Sequence, residues 1–126
     1  MARKIPFFEY PRLWTDSKQE YISIFDRVAS SGGFILQKDL ADFETELAKY
    51  TGANYSVGVG NATDAMEIFL DAIGLNKGDE IIISSHTMLA TASAIKFAGG
   101  VPVPVDIGED NLICTDSIEN SITSNT

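Results

Sequence analysis

The stretch YSVGVGNATDAMEIFLDAIGLNKGDEIIISSHTMLATASAIKFAGGVPVPVDI, residues 55–107, decides the fold, because short apolar runs alternate along it with helical periodicity. The pattern predicts strands at YSVGV, EIIIS and VPVPVDI. Between the strands it predicts a helix from about Asp64 to Ile73 and another over MLATASAIKFA, with Gly74 and Gly99 at the helix ends. Continuous apolar strands that alternate with helices are typical of an α/β domain, so we expect a mostly parallel sheet with helices on both faces.

Two prolines mark the last of these strands as an edge strand. Pro102 and Pro104 stand two residues apart, so the N–H groups that both residues lack fall on the same side of the strand. A neighbouring strand on that side would find no donors there, so we expect none.

The sequence before Tyr55 has a purely helical pattern. A capping box at Ser17–Glu20 predicts the start of one helix, which Gly32 and Gly33 end, and a second helix is predicted from Lys38 to about Tyr50. We therefore divide the chain into an amino-terminal arm with two helices, residues 1–54, and the βαβαβ region, residues 55–126. A short helix is predicted at 116–122.

Composition excludes several classes of function. The net charge of −9 disfavours nucleic acids and anionic membranes as partners. No signal peptide or membrane span is recognisable, and a single cysteine fits a cytoplasmic protein. Cys114 is expected to be a small buried apolar residue, and because His86 is the only histidine, we expect no metal site.

The loop Gly60–Thr63 joins the first predicted strand to its helix, at the sheet edge where α/β proteins bind ligands. Its backbone amides and the Thr63 hydroxyl could hold a phosphate, and the small side chain of Ala62 permits close approach. Equally, Asn61 or Thr63 could simply cap the helix. A dinucleotide site is disfavoured because GVGNAT supplies only two glycines of GxGxxG, and a Walker loop is excluded because no Gly-Lys-Ser/Thr follows.

The loop after the second predicted strand should form a second wall of the same site. His86, Thr87 and Met88 lie there, at the start of the next helix. The plainer interpretation makes Thr87 a helix cap, Met88 a core residue and His86 a solvent-facing side chain.

Several motifs together resemble the amino-terminal part of the DegT/DnrJ/StrS-type sugar aminotransferases. In chain order they are Ser-Gly-x-Phe-Ile-Leu, Gly-Asn-x-Thr-Asp-Ala, Gly-Asp-Glu-Ile-Ile, Thr-x-x-Ala-Thr and Pro-Val-x-Val-Asp. The resemblance implies an incomplete large domain of the fold type I aminotransferases, with pyridoxal 5'-phosphate as cofactor. It places Ala62 and Thr63 at the cofactor phosphate, with Ala62 where the family has glycine. It also places Met88 where the family has an aromatic residue on the pyridine ring. This departure could leave room for a neighbouring side chain such as His86, which is our candidate substrate-binding residue.

The resemblance also implies what this chain lacks. The family's Schiff-base lysine, and the aspartate that pairs with the pyridine nitrogen, come after the position of Thr126. The lysines that are present stand in the wrong places to substitute: Lys4, Lys18, Lys38, Lys49, Lys77 and Lys96. We therefore expect no catalytic residue in this chain, and we expect the 126 residues alone to be inactive.

The resulting hypothesis is the amino-terminal part of a pyridoxal-phosphate-dependent aminotransferase. The complete enzyme would move an amino group from an amino acid, with glutamate as the expected donor, to a nucleotide-linked keto sugar, and would be a homodimer. Three alternatives stay open: a sugar dehydratase of the same family, a non-catalytic phosphate-binding or regulatory module, and a purely structural α/β domain.

Overall fold

The computed structural model describes residues 5–126, so Lys4 lies outside the described part of the chain. The chain divides into two compact units, Met1–Gly58 and Val59–Thr126. The boundary that we placed between residues 54 and 55 stays a prediction. Within residues 5–126, no helix has both the length and the apolar content needed to cross a membrane.

The first unit begins with α1, Tyr10–Ser31, which is longer than the sequence predicts. The predicted helix start at a capping box in Ser17–Glu20 is wrong, because Ser17 lies inside the helix and Glu9 holds the N-cap position. Pro11 lies in the first turn, where a missing N–H costs nothing. The carboxyl end is as predicted: Gly32 ends the helix with φ 70° in the left-handed region.

The second helix, α2, covers Lys38–Thr51 and ends at Gly52, which confirms its predicted extent. A bidentate ion pair joins α1 to the start of α2, with the Arg27 nitrogens 2.6 and 3.2 Å from the Asp39 carboxylate oxygens. The hydrogen bond from Arg27 lowers the pKa of Asp39 below its ordinary 3.8. The pair therefore holds the carboxylate charged.

The predicted strand YSVGV is not a strand in the structure. Residues 55–59 form no ladder with any described segment, and Tyr55 and Val57 are 88% and 77% exposed. A strand exists only through a hydrogen-bonded neighbour, and here the amide of Gly58 donates instead to the Glu44 carboxylate on α2, at 2.7 Å. Gly58 allows this contact, because a Cβ there would lie 2.5 Å from Leu40 Cδ1.

The second unit has the order α3, β1, α4, β2, α5. The bounds are Ala62–Ala72 for α3, Glu80–Ser84 for β1, Leu89–Phe97 for α4, Val101–Val105 for β2 and Thr115–Ser121 for α5. The two strands pair in parallel, with Glu80 opposite Val101 and Ser84 opposite Val105. The helix α4 is the crossover connection and packs on both strands and on α3, while α5 packs on β2. All of these predicted elements are confirmed, with small shifts at the ends.

The core of the second unit lies between α3, α4 and the sheet. Its buried apolar side chains are Leu70 from α3, Ala94 and Ile95 from α4, and Val105 from β2. These residues come from two helices and a strand of the alternating pattern, so the α/β pattern itself assembles the core.

The two prolines lie on the outer side of β2, as predicted. The amide of Val101 donates to the carbonyl oxygen of Asp79, so the backbone N–H and C=O groups of the odd-numbered residues of β2 point towards β1. The nitrogens of Pro102 and Pro104 therefore face away from the ladder. Within the described residues the sheet ends there, which confirms the edge strand.

Cys114 differs from its expected role. It is only half-buried and holds the N-cap position of α5. Hydrogen bonds with Ser117 lower the pKa of its thiol below the ordinary 9.0. Within residues 5–126 the side chain makes no capping hydrogen bond, and it is not among the buried core residues.

Candidate functional site

The loop before α3 is built around Asn61. Asn61 has extended backbone angles, φ −164° and ψ 175°, and its side-chain oxygen accepts the amide of Asp64 at 3.0 Å. Its backbone carbonyl accepts the amide of Ala65, also at 3.0 Å. Of the two possible caps in the sequence, Asn61 is the one that the structure uses.

This arrangement leaves two amides at the start of α3 open. The four N–H groups that lack intrahelical acceptors at this helix start are those of Asn61, Ala62, Thr63 and Asp64, and the Asn61 side chain takes that of Asp64. The amide of Ala65 donates to the Asn61 carbonyl, which is the first hydrogen bond of the helix itself. Within residues 5–126, no acceptor is found for the amides of Ala62 and Thr63, nor a hydrogen bond for the Thr63 hydroxyl. Three donors thus stand at the positive end of the helix dipole, where an anion is stabilised.

An acidic side chain borders the same loop, and the sequence analysis missed it. The Asp64 carboxylate accepts a hydrogen bond from Asn61 Nδ2 at 3.0 Å. A Cβ on Gly60 would lie 2.7 Å from Asp64 Oδ2, so the carboxylate occupies space that a side chain at residue 60 would fill. The signal was available in the sequence, because Asn61 and Asp64 have the three-residue spacing of reciprocal caps.

The loop after β1 places the other predicted residues at the carboxyl end of the strand. The amide of Ser85 still donates to Val105 at 2.8 Å, and the amide of His86 donates to the Ser84 hydroxyl at 3.2 Å. Met88 holds the N-cap position of α4 with a side chain that is 76% exposed. The plainer interpretation of this loop is therefore wrong for two residues, because Met88 is not a core residue and Thr87 is not the helix cap. His86 is exposed, as its plainer interpretation expected.

The two loops begin helices that pack on each other. A cavity of about 130 Å³ between α3, α4 and β1 is lined by Met66 and Thr91 near the helix starts, and by Leu70 and Ile95 one turn later. A Cβ on Gly100, just after α4, would lie 2.9 Å from Leu75 Cδ2, just after α3, so the carboxyl ends of the two packed helices lie together and the helices run in the same direction. Their amino-terminal ends, which carry Thr63 and Met88, lie on the same side of the unit.

The lysines of the second unit are Lys77 and Lys96. Lys77 lies in the turn before β1, at the amino end of the strand, and Lys96 lies in the last turn of α4. Both are at the opposite end of their elements from the predicted site. Among the described residues, no group of His, Cys, Asp and Glu side chains could hold a metal ion.

Comparison with known proteins gives one family. The profile of the DegT/DnrJ/EryC1/StrS aminotransferase family matches residues 15–126. A dTDP-3-amino-3,4,6-trideoxy-alpha-D-glucose transaminase of Streptomyces venezuelae is 34% identical over 108 residues, which cover 86% of this chain and 28% of that protein. A 3-oxo-glucose-6-phosphate:glutamate aminotransferase of Bacillus subtilis is 37% identical over 95% of this chain and 28% of its own length.

Solved structures agree with the sequence comparison. The NtdA protein of Bacillus subtilis, solved with bound cofactor PMP, superposes with a TM-score of 0.93 at 35% identity, over 100% of this chain and 29% of that one. The chain thus spans less than a third of the length of these three proteins. The resemblance in the sequence motifs and the expected α/β fold class are both confirmed.

Proposed function

Because the chain belongs to the DegT/DnrJ/EryC1/StrS aminotransferase family, we propose that it holds the cofactor phosphate of a pyridoxal-phosphate-dependent sugar aminotransferase. The protein would move an amino group from an amino acid to a keto sugar. Since the chain covers less than a third of its relatives, the activity of the whole protein is part of the proposal.

The observation that carries the proposal is the open start of α3. Two amides and a hydroxyl of Ala62 and Thr63 have no partner within residues 5–126, and the helix dipole adds a positive partial charge at this helix start. The tetrahedral phosphate of pyridoxal 5'-phosphate needs such a set of donors. The residues fit this part of the cofactor. When bound, the cofactor supplies an electron-accepting ring that carries the amino group between donor and acceptor.

The second loop would complete the binding site. We propose that the exposed Met88 side chain lies against the ring of the cofactor, since a thioether contacts π faces favourably. His86, two residues earlier and exposed, would then contact the sugar substrate. Neither Lys77 nor Lys96 is at this end of its element. We therefore propose that the 126 residues alone bind the cofactor but turn over no substrate.

The proposed substrate is a keto sugar linked to a nucleotide, with glutamate as amino donor. The Streptomyces venezuelae relative is named for a dTDP-linked sugar, which supports the nucleotide. The Bacillus subtilis relative is named for glutamate and for a sugar phosphate, so it supports the donor. An assay of amino transfer from glutamate to a dTDP-linked keto sugar and to a keto sugar phosphate separates the two acceptors.

We also propose that the complete protein is a homodimer. The α1 face formed by Trp14, Tyr21, Ile22 and Phe25 is exposed and lines an apolar groove of about 390 Å³. Apolar patches of this kind are typical of protein–protein contacts. Light scattering gives the test: a mass of one chain at micromolar concentration would contradict the proposal.

Binding of pyridoxamine 5'-phosphate tests the phosphate site. This compound lacks the aldehyde, so it forms no covalent bonds with surface lysines, and its own fluorescence reports binding. We expect it to bind the purified chain at least about tenfold more tightly than pyridoxamine, because two charge-assisted hydrogen bonds are added. Equal affinities of the two compounds would refute the proposal.

A non-catalytic phosphate-binding module would pass the same binding test. Amino transfer by the complete protein distinguishes the two functions, since a module that only binds would produce no amino sugar.

A further inference from the structure

We propose that Asn61 and Asp64 are positioning residues that set the phosphate loop before the cofactor arrives. This inference rests on the proposed function, because it concerns the same start of α3. The two residues hold each other: Asn61 Oδ1 accepts the amide of Asp64, and Asp64 Oδ2 accepts from Asn61 Nδ2, both at 3.0 Å.

The reciprocal contact fixes which end of the Asn61 amide faces the helix. With Nδ2 bound to the carboxylate, Oδ1 is turned to the backbone amide of Asp64. That amide is thereby used inside the loop, while the amide of Ala65 makes the first hydrogen bond of the helix, with the Asn61 carbonyl. The donors left for a ligand are those of Ala62 and Thr63. A loop already held in this arrangement does not have to be ordered on binding, and this raises affinity.

Gly60 is part of the same arrangement. A Cβ at this position would lie 2.7 Å from Asp64 Oδ2, so a side chain would displace the carboxylate from Asn61. The absence of a side chain at Gly60 thus leaves room for the Asp64 carboxylate, whereas its backbone angles do not call for glycine, since Gly60 is not among the glycines with positive φ.

Asp64 has two opposed effects, which two neutral substitutions separate. Its charge repels a phosphate, while its hydrogen bond orients Asn61. Asp64→Asn removes the charge and keeps an oxygen that accepts from Asn61. Asp64→Ala removes both. The two variants have the same charge, so any difference between them measures the positioning alone.

The experiment is a titration of the full chain and both variants with pyridoxamine 5'-phosphate. We expect Asp64→Ala to bind about two- to tenfold more weakly than Asp64→Asn, the range of one net hydrogen bond. Binding of pyridoxamine should be the same in both variants. Equal affinity of the two variants for pyridoxamine 5'-phosphate, with the wild type binding it, would overturn the inference and leave the proposed function standing.

Amide hydrogen exchange without ligand gives the second measurement. We expect the amide of residue 64 to exchange faster in Asp64→Ala than in Asp64→Asn, because Asn61 is no longer held against it. If Asp64→Ala does not fold by circular dichroism, Gly60→Ala tests the same contact, and it should speed exchange at Asp64. Unchanged exchange at residue 64 overturns the inference. A wild type that shows no preference for the phosphorylated compound overturns the proposed function as well.

Discussion

Replacing Thr63 by valine separates the ligand-binding interpretation of the α3 start from the purely structural one. Valine has the shape of threonine without the hydroxyl. In the structure Asn61 caps the helix, and the Thr63 hydroxyl has no hydrogen bond within residues 5–126. The substitution therefore removes a hydrogen-bond donor that would bind the ligand, and it removes no hydrogen bond that stabilises the fold.

The expected size of the effect follows from that one donor. A hydrogen bond to a charged group contributes about 1.5–3 kcal/mol, so Thr63→Val should weaken pyridoxamine 5'-phosphate binding by about 10- to 150-fold. The free energy of unfolding should change by less than about 0.5 kcal/mol, because threonine and valine have similar helix propensities. Fluorescence titration at fixed salt gives the first quantity, and urea unfolding gives the second.

Two matched variants frame this measurement. Thr63→Ser keeps the hydroxyl and should bind nearly as the wild type does. Asn61→Ala removes the cap and should lower the free energy of unfolding by about 0.5–2 kcal/mol. If Thr63→Val binds the ligand normally and loses more than about 1 kcal/mol of stability, Thr63 is a structural residue and our reasoning about the loop is wrong.

Three further predictions concern the scaffold. Arg27 lowers the pKa of Asp39, so the stabilisation from this pair is fully present above pH 3.8 and is lost as the pH falls through the lower pKa of the folded state. The melting temperature should therefore decline more in the wild type than in Asp39→Asn as the pH is lowered through this range. Gly58→Ala should cost about 1–3 kcal/mol in urea unfolding through its clash with Leu40, and Leu40→Ala should remove most of that added cost. Ile95, which is 3% exposed, should lose about 2–5 kcal/mol on substitution by alanine but only about 0.5–1.5 by valine, and a flat response would contradict its place in the core.

The second unit could be predicted from sequence because its signals are local. The apolar run from Glu80 to Ser84 and the periodicity of α4 each fix an element without reference to distant residues. The two prolines of β2 are likewise a local signal, because each lacks a backbone N–H whatever lies beside the strand. Their placement at an edge follows from chemistry that a single strand carries with it.

The first predicted strand failed because its identity depends on a neighbour. Residues 55–59 have the composition of a strand, but a ladder needs a second segment, and the Gly58 amide is taken by Glu44. The start of α1 failed for a different reason. A Ser-x-x-Glu motif can occur inside a helix as well as at its start, so the motif alone does not locate the start. Pro11, which lies in the first turn, was the stronger signal of where the helix begins.

The candidate site was predicted in its position but not in its internal bonding. The sequence identified the loop and the donors of Thr63, yet it could not choose between two side chains that both cap helices. The contact of Asp64 with Asn61 depends on side-chain rotamers, and its closeness to Gly60 depends on backbone geometry. Neither is specified by residue type alone.

The paired prolines of β2 give the sheet a single direction of growth. Beyond β2 an incoming strand would meet two ring nitrogens that donate nothing, whereas β1 keeps its outward-facing backbone at Ile82 and Ser84. Any strand that enlarges this sheet must therefore be added next to β1. The same asymmetry protects against polymerisation, since two copies cannot join through their β2 strands into a continuous ribbon.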